Sequence, residues 1–184
     1  MAELEKLESI ETAIPADRGS RDRFDLMVIG GGSNLIGCHL AFSELLKRGR
    51  VKRLPRIFGV QAAAAAPLHR TFMAGADDLV PTEVGPTIAE GIAMKRPVRA
   101  REVMQVLRAS GGRTVAVSEA EIVGALGELA RKGLFVEPTS AAAAAGLTQL
   151  VAAGDVGLSE RTVLVLTGSG LKAIEYVGAA LGIG

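Results

Sequence analysis

At 184 residues, the chain is long enough for one compact domain that buries roughly 70% of the surface its unfolded form exposes. With 48% hydrophobic residues, 22% charged residues and a net charge of +1, it is neither disordered nor fibrous. No charge excess draws it to nucleic acid or to an anionic membrane. Only 3% of residues are aromatic and none is Trp, which removes base-stacking platforms, and the lone Cys38 excludes an internal disulfide or a cysteine-rich metal site. The N-terminus, MAELEKLESIET, is acidic and lacks the apolar core of a secretory signal. No stretch is apolar and long enough to cross a bilayer. The expectation is a cytoplasmic α/β protein.

In chain order, Leu4, Leu7, Ile10 and Ile14 recur at helical spacing, so residues 1–13 are expected to form an amphipathic helix. A polar loop follows to Arg23. Phe24–Ile29 is a nearly unbroken apolar run that ends in glycines, the pattern of a buried parallel strand. A helix is expected from Asn34 to Arg48, stopped by Gly49. Arg56–Gln61 reads as a second strand, and Pro67 opens a helix running toward Gly75. The chain is irregular around Pro81 and Pro86 and ambiguous over Thr87–Met94. Arg99–Ser110 reads as a helix closed by Gly111 and Gly112, and Arg113–Val117 as an edge or half-covered strand. Ser118 and Glu121 match a capping box, and the helix they open ends at Gly133. After a short extended piece at Leu134–Val136, Thr139 or Ser140 is expected to cap an alanine-rich helix, Ala141–Ala153, packed closely on a neighbour. A last strand, Thr162–Leu166, leads through Thr167-Gly168-Ser169-Gly170 into a helix from Leu171. Strands alternating with helices imply one α/β domain over 24–184, a layered sandwich with a mostly parallel central sheet.

Two strand-to-helix turns carry the chemistry. The first, V-I-G-G-G-S-N-L-I-G from Val28 to Gly37, places glycines where unpaired N–H groups and the positive end of a helix dipole gather. That is a site for an anion, most simply a phosphate, although three glycines can also serve only to make a tight reversal. A dinucleotide fingerprint is weakened, though kept as a third alternative, because its third glycine falls on Leu35 and its second strand ends in Gln61 rather than an acid. A P-loop fails because no Gly-Lys-Ser/Thr follows. In the second turn, Thr167 ends a strand at the edge where open α/β sheets hold ligands, or its hydroxyl caps the next helix. Lys172 beside it reads as a solvated or phosphate-side charge rather than a nucleophile.

Together these segments resemble threonine synthase and its relatives among the pyridoxal-phosphate enzymes of fold type II, the tryptophan-synthase-β family. The resemblance runs from Phe24 to Lys172. It is carried in order by G-G-G-S-N (Gly30–Asn34), L-P-R-I-F-G-V-Q-A (Leu54–Ala62), P-T-I-A-E-G-I (Pro86–Ile92), S-G-G-R (Ser110–Arg113), V-S-E-A-E-I (Val117–Ile122), E-P-T-S-A (Glu137–Ala141) and L-T-G-S-G-L-K (Leu166–Lys172). The resemblance implies the fold of that family's large domain and pyridoxal 5'-phosphate as cofactor. Its phosphate would be held by Gly30, Gly31, Gly32, Ser33 and Asn34, and its pyridine nitrogen by the hydroxyl of Thr167. An uncharged partner leaves that nitrogen largely unprotonated, which suits replacement and elimination at the β or γ carbon. Gly31 and Ser33 stand where the family often has Asn and Gly. The E-P-T-S-A segment is expected to be structural, a helix start near the sheet edge.

The resemblance also implies a lysine in Schiff base with the cofactor, early in the family's chain in a segment like S-x-K-x-R. None of Lys6, Lys47, Lys52, Lys95, Lys132 and Lys172 has that context. The expectation is that Met1 falls where the family's second half begins, so that the small upstream domain, its lysine and the asparagine that family members place on the cofactor's ring hydroxyl are absent; no catalytic residue and no metal site is expected in this chain. The implied function is the cofactor-binding part of an enzyme that converts O-phosphohomoserine to threonine, inactive alone. The alternatives are a non-catalytic domain of the family and part of a threonine or serine dehydratase. Expected partners are an amino-acid substrate in the full enzyme, and either a second copy in a homodimer or a complementary N-terminal half.

Overall fold

The computed structural model describes residues 24–29 and 32–182. The expected N-terminal helix and loop over 1–23, together with Gly30 and Gly31, lie outside these residues. Four strands form one sheet: β1 (Phe24–Ile29), β2 (Arg56–Ala62), β3 (Thr114–Val117) and β4 (Arg161–Leu164). Their order is β3-β2-β1-β4, and every pairing is parallel. The helices are α1 (Ser33–Lys47), α2 (Pro67–Met73), α3 (Ala100–Ser110), α4 (Glu119–Arg131), α5 (Pro138–Ala152) and α6 (Ile174–Leu181). The layered α/β sandwich expected from the alternating pattern is the architecture observed.

A parallel sheet needs cover on both faces, and β2 shows why its sequence is so apolar. Ile57 enters a core with Leu35, Ile36, Leu68, Val103, Met104 and Leu107, supplied by α1, α2 and α3. Phe58, Val60 and Ala62 enter the opposite core, with Ile122 and Leu126 of α4 and Leu150 of α5. The alanine run of α5 has the close packing that its composition suggested, since Ala141, Ala142 and Ala143 have no exposed surface. β3 is an edge strand, as expected. β4 is the other edge, and Val163 on it remains 47% exposed.

The N-terminal ends of the strands are tied by charge. Arg56 donates to the Asp155 carbonyl (2.6 Å) and pairs with Glu160 (2.7 Å), while Arg113 pairs with Asp155 (2.7 Å). These partly buried pairs clamp the connection between α5 and β4 beneath β2 and β3. The opposite, C-terminal edge is left to the glycine turns.

Several local expectations change. Thr139 and Ser140 do not cap α5: the N-cap is Glu137, without a side-chain cap, and Pro138 takes the first helical position, where its missing N–H costs nothing. The two hydroxyls serve distant segments instead, Thr139 accepting the Gly91 N–H at 3.2 Å. β4 stops at Leu164, two residues short of the apolar run, because its register with β1 ends at the pair Met27–Leu164. A 3-10 turn over Gly170–Ala173 precedes α6, so the last helix starts later than Leu171. The ambiguous stretch contains a 3-10 turn at Glu90–Ile92. The capping box at Ser118 is complete, its N–H and O–H both donating to Glu121 at 2.7 Å and holding that carboxyl below its ordinary range.

His69 of α2 lies 3.1 Å from Thr114 Oγ1, half-buried between α2 and β3. Burial pushes its pKa below the usual 6.5; a hydrogen bond to the Thr114 backbone opposes this and the charges of Arg113 and Arg70 reinforce it. Below about pH 6.5 the unfolded chain therefore takes up a proton that the folded chain resists, so stability falls as pH falls. Urea melts between pH 7.5 and 5.5 should show that loss, and His69→Gln should flatten it. An unchanged slope in the variant would assign the pH dependence to other groups.

Candidate functional site

β1 and β4 are neighbours, and both deliver a glycine turn to the same edge. After β1, Gly32 adopts φ +102°, a backbone that L side chains rarely enter. A Cβ there would overlap Val103 Cγ2 of α3. Only glycine lets the chain pass this close to α3 and turn into α1. The Ile36 N–H closes the first turn on the Gly32 carbonyl (3.0 Å), and Leu35 and Ile36 anchor it in the core.

No side chain caps α1, and its first turn carries no acid. The N–H groups at its start are those that an α-helix leaves without intrahelical partners, and the dipole adds positive potential there. Ser33 and Asn34 are exposed at this end. Of the residues expected to hold an anion, Gly32, Ser33 and Asn34 are thus brought together at an uncapped helix start. Gly30 and Gly31 lie outside the described residues.

The second turn is held by the segment before α5. Val136 and Ser169 form an antiparallel bridge, the Glu137 N–H donates to the Gly168 carbonyl (3.1 Å), and the Gly170 N–H donates to the Phe135 carbonyl (3.1 Å). Gly168 and Gly170 leave no space for a Cβ: one would overlap the Glu137 carboxylate, and the other would lie 2.8 Å from the Phe135 ring. Thr167, at the head of this turn, is exposed. Ser140 of α5 is fully buried beside it, its Oγ 3.5 Å from Thr167 Oγ1. The E-P-T-S-A segment is a helix start at the sheet edge, as expected, but it also braces the Thr167 turn. The sequence offers no local signal for that contact, which joins residues 27 positions apart.

The edge thus brings an uncapped helix start and a neutral hydroxyl together after adjacent strands. The described lysines, Lys47, Lys52, Lys95, Lys132 and Lys172, are all exposed. Burial raises the Cys38 thiol pKa, which disfavours its thiolate. Among the described residues there is no cluster of His, Cys, Asp and Glu able to hold a metal, and no helix is long and apolar enough to cross a membrane.

Residues 12–168 match the protein family described as "Pyridoxal-phosphate dependent enzyme". Threonine synthase of Methanocaldococcus jannaschii is 38% identical over 148 residues, covering 80% of this chain and 36% of that protein. The crystal structure of threonine synthase from Escherichia coli superposes with a TM-score of 0.69 at 20% identity, over 91% of this chain and 37% of that one. Threonine deaminase isoform 2 from Solanum lycopersicum superposes with a TM-score of 0.65 at 19% identity, over 88% and 44%. The chain therefore spans little more than a third of the length of the threonine synthases it matches.

Proposed function

This chain belongs to the family of pyridoxal-phosphate dependent enzymes, and from that premise we propose that it is the cofactor-holding portion of a threonine-synthase-like enzyme. One observation carries the reading: an uncapped, glycine-led helix start after β1 stands at the same sheet edge as the Thr167 hydroxyl after β4. The residues present fit the cofactor. A phosphate needs several bare N–H donors and no carboxylate in the same turn, which the start of α1 supplies. A pyridine nitrogen needs one hydrogen bond, which a neutral hydroxyl supplies.

In this reading Gly32, Ser33 and Asn34 donate backbone N–H groups to the phosphate, joined by Gly30 and Gly31. Thr167 donates its hydroxyl proton to the ring nitrogen. Being uncharged, it orients the ring without protonating it. Pyridoxal phosphate, when bound, supplies the electron sink for chemistry at the α-carbon of an amino acid. Residues 24–184 act as one cofactor-binding domain with residues 1–23 appended. The lysine comes from a complementary N-terminal portion, and the substrate is O-phosphohomoserine in the cytoplasm. Pairing of two copies of this chain is the competing arrangement.

Threonine formation from O-phosphohomoserine is expected only when the chain is mixed with a polypeptide carrying the lysine-bearing N-terminal portion of a threonine synthase. Turnover by the chain alone would contradict the division of labour. Turnover of threonine to 2-oxobutanoate by the mixture, without threonine synthesis, would move the chain to the dehydratases. Thr167→Val should weaken binding of pyridoxal 5'-phosphate to the chain about fivefold, the loss of roughly one hydrogen bond. Calorimetric titration measures it, and an unchanged affinity would remove Thr167 from the site.

A further inference from the structure

Thr167 does not stand alone at its position, and its buried neighbour bears on which way its proton points. Ser140 Oγ accepts the Gly168 N–H at 2.8 Å, a bond of ordinary strength that fixes the oxygen. The Ser140 proton then has two acceptors in range, the Gly168 carbonyl at 3.3 Å and Thr167 Oγ1 at 3.5 Å. The Gly168 carbonyl already accepts the Glu137 N–H at 3.1 Å. Both hydroxyl distances exceed the usual value of about 2.8 Å, so neither acceptor holds the Ser140 proton firmly.

A hydroxyl has one proton to give. When Thr167 donates outward to an aromatic nitrogen, its oxygen becomes a better acceptor, because chained hydrogen bonds polarise one another. Ser140 is the buried donor alongside. With one lone pair already taken by Gly168, it is set to give rather than receive.

We infer that Ser140 is a positioning residue for the cofactor ring: it donates to Thr167 Oγ1 and so turns the Thr167 proton toward the pyridine nitrogen. This rests on the reading of Thr167 given under Proposed function. It assigns a role to a hydroxyl that looks, from sequence, like a helix cap.

The test compares two ligands by calorimetric titration of the full chain: pyridoxal 5'-phosphate and its 1-deaza analogue, in which a C–H replaces the ring nitrogen. The parent should prefer the natural ligand about five- to tenfold. In Ser140→Ala the preference should shrink to within about twofold while affinity for the analogue stays unchanged. In Thr167→Val the preference should vanish, and adding Ser140→Ala should change nothing further. A Ser140→Ala chain that weakens both ligands equally and keeps the parental preference would overturn the inference, since a merely structural role predicts that pattern. A parent with no preference would overturn the Thr167 reading itself, and a parent that binds neither ligand would overturn the proposed function with it. If Ser140→Ala does not fold, Ser140→Cys, similar in volume and a weaker donor, carries the same comparison.

Discussion

Gly32→Ala is expected to destabilise the chain by about 2–5 kcal/mol and to abolish measurable binding of pyridoxal 5'-phosphate. Two costs combine. At φ +102° an L side chain is strained wherever it sits, and the new methyl would also overlap Val103 Cγ2. Relief of the overlap requires α1 to move away from α3, which carries the N–H groups of Ser33 and Asn34 off their position. The steric share is separable, because Val103→Ala removes the atom that is struck. Gly32→Ala with Val103→Ala should therefore recover part of the stability lost to the first change, but not the share due to backbone strain. Urea denaturation of the four chains measures the coupling. Simple additivity would mean that Val103 is not what confines this turn.

Gly112→Ala should be worse still, a loss beyond about 4 kcal/mol that leaves little folded chain. Gly112 sits between α3 and β3, where the chain crosses β2. A Cβ here would fall within the Ile57 carbonyl group, 2.6 Å from its carbon and 2.9 Å from the Ile57 nitrogen. Backbone cannot rotate away as a side chain can, so β3 would have to leave β2. The Gly59 N–H bond to the Arg113 carbonyl (3.0 Å) would go with it. The adjacent Gly111 makes the control. At φ +67°, with nothing within 4 Å of its added Cβ, Gly111→Ala costs only the strain of a left-handed residue, about 1–2 kcal/mol. Thermal melts should separate the neighbours widely. Equal melting temperatures would contradict the close approach of Gly112 to β2.

Features set by neighbours along the chain were legible in the sequence. The bounds of β1 match the apolar run at Phe24–Ile29, and β2 extends its expected run by one residue. The Ser118 box was legible because both of its partners lie within one turn. The hydroxyls of Thr139 and Ser140 look alike in sequence, two neighbouring hydroxyls at a helix start, yet they answer to Gly91 and Gly168. Only the packing of α5 beneath both loops brings those donors near. Val165 and Leu166 continue an apolar run, but a strand lasts only as long as its partner, and β4 ends where its pairing with β1 ends. The site divided along the same line. The glycine turns and Thr167 were singled out as candidates by motif order, whereas the contact that brings Ser140 beside Thr167 joins distant segments.

The most direct measurement is a calorimetric titration of the chain with pyridoxal 5'-phosphate and, in parallel, with pyridoxal, which lacks the phosphate. If the start of α1 holds the phosphate, the phosphorylated ligand should bind at least about a hundredfold more tightly, the difference that charge-assisted bonds to several N–H groups supply. Equal affinity for the two, or binding of neither, would contradict a phosphate site at Gly32, Ser33 and Asn34.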